Sequence, residues 1–157
     1  MSESLGKKAE GKIKEWLNRP EDGYSFDRLY DQLSGYYLTS RNICDFICYK
    51  YPYIYYIESK ETEADRFDFD MIQPHQHDGL LTKSKIKGCY GLVIVLFTTY
   101  KRAFVLKIQD IVELENQGKK SLNIKKIDKW TIPYKEIQTI PSRKAMLDYT
   151  GELEDLV

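Results

Sequence analysis

The chain has 157 residues, with 24 Lys plus Arg balanced by 24 Asp plus Glu. That length allows one domain with a proper core, and the balance excludes a global field that would advertise a polyanionic partner. No apolar run is long enough to span a bilayer and the N-terminus lacks a signal peptide's apolar core, so a soluble cytoplasmic protein is expected. The charge is unevenly placed, however. Asp148, Glu152, Glu154 and Asp155 close the chain without a Lys or Arg among them, leaving residues 1–147 with 24 basic and 20 acidic groups, a net of +4. A mildly basic body of this kind neither requires nor excludes nucleic acid.

In chain order, Ala9, Ile13, Trp16 and Leu17 recur at helical spacing and predict a helix over Gly6 to Asn18, with lysines between the apolar positions. The breaker-rich run Asn18 to Gly23 ends it. Tyr24 to Gln32 reads as a strand, followed by loops at Ser34-Gly35 and at Thr39 to Asn42. Ile43 to Thr62 reads as a β-hairpin. Both flanks are rich in β-branched and aromatic residues, and Pro52 marks the turn. Glu63 to Gln73 is polar and irregular; it is expected to form a loop that packs Phe67 and Phe69 inward.

Pro74 suits the first turn of a second helix, over Pro74 to Ile86, which Gly79 weakens and Gly88 ends. Cys89 to Thr98 is a continuous apolar run, as in a central strand buried on both faces. Ala103 to Ile108 predicts a neighbouring strand, and Ile108 to Gln117 a third helix closed by Gly118. Five lysines fall between Lys119 and Trp130, a pattern typical of a solvated face. The chain ends in what reads as a frayed acidic tail, residues 148–157, after a single domain over 1–147. The fold class is therefore α/β, a mixed central sheet of about five strands flanked by helices.

The hairpin carries the chemistry. If Lys50 to Tyr53 form its loop and Tyr49 pairs with Ile54, the antiparallel count sets Asp45 opposite Glu58. The period of two then puts Lys60 on the same face. Two carboxylates across a ladder repel, and burying them unpaired is costly. A divalent cation bound by hard oxygen ligands, with Lys60 beside it, relieves the cost. A structural Glu–Lys or Asp–Lys pair fits the same pattern, and a slip of one residue would part the two acids. Cys44, Cys48 and Cys89 read as reduced, buried thiols. Zinc held by them with His75 or His77 is disfavoured, because there is no Cys-x-x-Cys knuckle.

An acid on one strand followed by Glu-x-Lys on the next, here Asp45 and Glu58-Ser59-Lys60, resembles the PD-(D/E)XK nuclease signature. Gly6-Lys7-Lys8-Ala9-Glu10, the spacing from Asp45 to Glu58-Ser59-Lys60-Glu61-Thr62, and the later Pro74-His75-Gln76 resemble RecU-type Holliday-junction resolvases. The resemblance covers about residues 6 to 111. It implies a restriction-endonuclease-like fold and a metal-dependent, structure-selective endonuclease acting on four-way junctions or other branched DNA as a homodimer. Mg²⁺, for which Mn²⁺ can substitute, would be held by Asp45, Glu58 and the main-chain carbonyl of Ser59. Lys60 would orient the attacking water or stabilise charge on the phosphate, and Glu10 would serve as the accessory acid from the first helix. Lys7, Lys8, Arg28, Arg41, Arg66 and Gln76 are candidate DNA contacts. Members of the family carry a long stalk between the first helix and the catalytic acid. Here Asn18 to Asn42, containing Tyr24 to Asp31, leaves little room for one, which puts junction selectivity in doubt. A nickase or end-processing nuclease of the same chemistry, and a non-catalytic DNA-binding protein on the same fold, are the alternatives.

Overall fold

Tyr49 pairs with Ile54 and Phe46 with Ile57, so the hairpin has the expected register. The turn is tighter than expected: Lys50 also pairs with Tyr53, leaving only Tyr51 and Pro52 at the tip. In this computed structural model, which describes residues 5–30, 33–34, 37–38, 41–141 and 147–157, the two arms are β4 (Phe46–Lys50) and β5 (Tyr53–Thr62).

Around them the elements run in order. Helix α1 (Leu5–Leu17) leads to β1 (Ser25–Arg28) and a small pair, β2 (Leu33–Ser34) and β3 (Tyr37–Leu38). After the hairpin come β6 (Arg66–Asp68), α2 (Pro74–Ser84), β7 (Cys89–Phe97), β8 (Arg102–Lys107) and α3 (Ile108–Asn116). The chain closes with β9 (Ser121–Asn123), a 3₁₀ segment over Ile124–Lys129, β10 (Lys135–Glu136), β11 (Thr139–Pro141) and β12 (Leu147–Tyr149). The main sheet has six strands rather than about five, in the order β1-β4-β5-β7-β8-β10. β5 and β7 are parallel through the α2 crossover, and the other pairs are antiparallel. This is the mixed α/β sheet flanked by helices that the resemblance to PD-(D/E)XK nucleases implied. No helix among the described residues is long and apolar enough to cross a membrane.

β7 shows why its apolar run is unbroken. Leu92, Ile94 and Leu96 pack on the α1 side with Ile13 and Leu17, whereas Val93, Val95 and Phe97 pack on the opposite side with Leu80 and Ile111. Each face is buried, so alternation disappears. β5 differs. Tyr55 and Ile57 face α1, while the other face carries Tyr56 and then turns polar. Gly91 lets α2 approach β7, since a Cβ there would lie 2.6 Å from the Leu80 carbonyl oxygen. Gly79 does the same against the segment before β4, where a Cβ would lie 2.2 Å from Ile43 Cγ2. The glycine that weakens α2 in isolation is what seats it.

Three expectations are corrected. The strand predicted over Tyr24 to Gln32 covers Ser25–Arg28 among the described residues, and Asp31 and Gln32 lie outside them. Ser34 belongs to the short β2–β3 ladder rather than to a loop, while Gly35, Thr39 and Ser40 lie outside the described residues. The acidic C-terminal stretch does not fray. β12 pairs with β11, and Tyr149 and Leu153 are buried in the α1-side core. Trp16 Nε1 donates to the Gly151 carbonyl at 2.9 Å, and buried Lys12 pairs with Asp148 at 2.9 Å. The Tyr24 hydroxyl accepts from Leu153 N–H at 3.0 Å and lies 2.7 and 2.6 Å from Glu152 and Glu154. Apolar side chains among the acids, and cations waiting for those acids, outweigh the chain entropy that favours fraying.

Candidate active site

Continuing the hairpin register one pair past β4 sets Asp45 against Glu58, and Asp45 N–H donates to the Ile57 carbonyl at 3.1 Å. The Asp45 carboxylate also takes the Ser59 N–H at 2.9 Å. Glu58 is 2 % exposed, and its Oε2 is buried with no hydrogen-bond partner. Its Oε1 is shared: Lys60 Nζ lies at 3.0 Å and Gln76 Nε2 donates at 2.8 Å.

Gln76 is set by the start of α2. Its Oε1 accepts the Gln73 N–H at 3.1 Å as half of a capping box, and Lys60 Nζ donates to the same oxygen at 3.2 Å. One side chain therefore closes the helix end and braces both the carboxylate and the ammonium. Burial, then the nearby charge of Asp45, pushes Glu58 up to about 7, although Lys60 and Gln76 pull the other way. Burial also raises Asp45. The Ser59 N–H opposes that rise, the Glu10 charge adds to it, and Lys60 and Arg28 counter it. The two acids are thus short of positive charge, as repulsion across a ladder predicts.

Glu10 reaches the edge of this group from α1, but it is engaged by Arg28 Nη1 at 2.5 Å. Among the described residues, no three His, Cys, Asp or Glu side chains form a ready-made cation cage. The donor set is still of the right chemistry, with two hard carboxylates and one buried oxygen that nothing satisfies.

A model of the family described as Recombination protein U, RecU, matches residues 24–154. The chain belongs to the Recombination protein U family. The expectation of a Holliday-junction resolvase endonuclease stands with that membership. No curated protein matches the chain. Among solved structures, the chain is similar to Hjc of Archaeoglobus fulgidus, a Holliday junction resolvase from an archaeal hyperthermophile. The TM-score is 0.45 and the identity 14%, over 67% of this chain and 78% of that one.

In this RecU-family chain the candidate DNA contacts are scattered. Arg28 is spent on Glu10 and lies over the Tyr30 and Phe46 rings. Arg66 pairs with Asp68 at 2.6 Å. Arg41 is exposed and Lys8 half-buried, and the Lys7 side chain lies outside the described residues. Gln76, expected as a DNA contact, instead hydrogen-bonds to Glu58 and Lys60. Sequence reasoning gave Glu61 no role. Both its carboxylate oxygens are buried without a hydrogen-bond partner, on the α1 side of β5, and burial raises its pKa despite Lys8. Its only signal is parity: in a strand, odd positions face away from Glu58. The cysteines carry no site. All three are free thiols, and burial pushes Cys44 and Cys48 up to about 12.

Proposed function

We propose that the chain is a divalent-metal-dependent endodeoxyribonuclease that cuts branched DNA, four-way junctions above all, by phosphodiester hydrolysis. One observation carries the reading: a fully buried glutamate with an unsatisfied oxygen faces a second carboxylate, with a lysine at 3.0 Å. Asp45 and Glu58, with the Ser59 carbonyl, are the groups that would hold Mg²⁺. When bound, such an ion polarises the phosphate and lowers the pKa of a water.

The chain's own residues do the rest. Gln76 holds Glu58 and Lys60 in fixed rotamers. Lys60 donates hydrogen bonds to the attacking water or to the phosphate as its charge develops. Glu10 is the accessory acid, kept in reserve by Arg28. Lys7, Lys8, Arg28, Arg41 and Arg66 contact the DNA backbone. Paired cuts on two strands call for two such sites, hence a symmetric homodimer, and a cytoplasmic setting suits the chemistry.

The test is cleavage of a synthetic four-way junction with Mg²⁺ or Mn²⁺, beside linear duplex, mapped to the nucleotide. Paired nicks near the branch point are expected, with Asp45→Ala and Lys60→Ala folded and inactive. Full activity in either variant sinks the residue assignment. One observation favours a rival: among the described residues, the connection between β1 and Asp45 holds just the two-residue strands β2 and β3. Linear duplex nicked as fast as junctions would make the protein a nickase or end-processing nuclease. No cleavage with any divalent metal would leave a DNA-binding protein.

A further inference from the structure

A cavity of about 440 Å³ opens beside β9, and its charged lining is wholly cationic: Arg66, Lys119, Lys126 and Lys129, with no carboxylate. The three lysines are exposed, and their ammonium groups meet no partner among the described residues. Lys125 differs, being drawn to Asp65 at 3.1 Å. Trp130 forms part of the wall, held by its Nε1 bond to the Asn123 carbonyl at 2.9 Å. The neighbouring cavity of about 720 Å³ shares Arg66, Lys119 and Ser121 with it but is offset by Asp68, Asp70, Asp78 and Glu115. Positive charge is therefore left uncompensated in one of the two adjoining hollows and not in the other.

The placement matters as much as the sign. Leu114 and Leu122 line the cationic hollow and belong to the same core layer as Leu80 of α2, so it opens on the Gln76 side of the sheet. Thr62 Oγ1 lies 3.5 Å from the Arg66 carbonyl, and Thr62 is four residues beyond Glu58 on β5. At about 3.3 Å per residue, Thr62 and the start of β6 beside it stand about 13 Å along β5 from Glu58, and Arg66 of β6 is at the rim of the hollow. Duplex DNA advances about 3.4 Å per base pair, so that step alone spans about four base pairs of an arm.

We infer that the Lys119–Lys126–Lys129 hollow is a second DNA-binding site, which grips the phosphate backbone of a duplex arm a few base pairs from the cleaved bond. The site reads charge and not sequence: its unpaired groups are ammoniums, while Arg66 is paired with Asp68 and Asn123 Oδ1 accepts the Lys125 N–H. It gives a chain with little room for a stalk another means of holding an arm. The inference rests on the nuclease reading for the identity of the anion.

Its test does not depend on cutting. Affinity of the full chain for a four-way junction with long arms is measured against salt concentration, without divalent metal. K119Q/K126Q/K129Q is compared with K14Q/K85Q/K87Q, which removes the same charge from α1 and from the end of the sheet near the hairpin tip. The first variant is expected to flatten the plot of log affinity against log salt by about 2 to 3 relative to wild type. The second is expected to leave it unchanged. Equal slopes in the two variants, or a wild-type chain that does not bind duplex arms, overturn the inference. Wild type that binds with the steep slope yet never cuts with Mg²⁺ sinks only the nuclease reading. Wild type that cuts while both variants share one slope sinks only this one.

Discussion

Two groups of acids in this molecule have opposite fates. Buried Glu58 and half-buried Asp45 face one another across a ladder, share a nearby lysine, and are both shifted toward the protonated form. Asp148, Glu152 and Glu154 sit where cations already wait: Lys12 for Asp148, Arg19 at 3.7 Å from Glu152, and Lys50 at 3.5 Å from Glu154. Burial works against the Glu154 charge, but the Tyr24 hydroxyl and Lys50 outweigh it and hold the group below its usual range. The same residue type is thus a charge awaiting a counterion in one place and a fastener in the other. What faces the carboxylate decides which.

The sharpest way to break this contrast is Glu58→Gln. It should lower the cleavage rate by at least about 100-fold, since it removes the carboxylate oxygen that nothing among the described residues satisfies. It should leave the melting temperature unchanged or raise it, because a buried charge goes and the Gln76 contact can stay. A large fall in stability would mean that the acid serves the fold. Leu153→Ala should do the reverse. Leu153 is wholly buried, so its truncation should cost about 2–4 kcal/mol in denaturant unfolding, while the folded fraction still cleaves at the wild-type rate.

Tyr24→Phe is a finer cut. It strips the acceptor from Leu153 N–H and the donor shared by Glu152 and Glu154, for an expected loss of about 1–3 kcal/mol. The smallest effect is on the acid limb of stability. Glu154 is lowered in the folded state, so its contribution is present above the ordinary glutamate range and fades as pH falls through the lower folded value. Glu154→Gln should flatten the stability curve in that acidic window and nowhere else. An unchanged acid limb would show that the contacts to Tyr24 and Lys50 do not tune the group.

The hairpin was legible because its evidence is local. Aromatic and β-branched flanks on both sides of Pro52 allow few registers, and any of them that keeps Phe46, Cys48, Tyr55 and Ile57 on the core face also puts Asp45 and Glu58 on one shared face. The central strand was legible for a similar reason, since an unbroken apolar run has only one comfortable place in a layered sheet. Gln76 was not. Its value lies in a capping geometry and a crossover that bring α2 to β5, and neither leaves a mark on the spacing of residues. The C-terminal stretch was misread because its acids are loud and its anchors quiet. Tyr149 and Leu153 are separated by polar residues, and their partners Trp16, Lys12 and Tyr24 lie more than a hundred positions earlier. The β6–β9 ladder was hidden the same way, with three-residue strands too short to show a period.

The absent side chain at position 79 has a reach beyond packing. With nothing between α2 and Ile43, the start of that helix and the stretch leading into Asp45 behave as one mechanical piece. Displacing either moves the other, and with it the amide that braces Glu58. Anything grafted between Arg28 and Asn42 would therefore hold a lever on the chemistry without touching it.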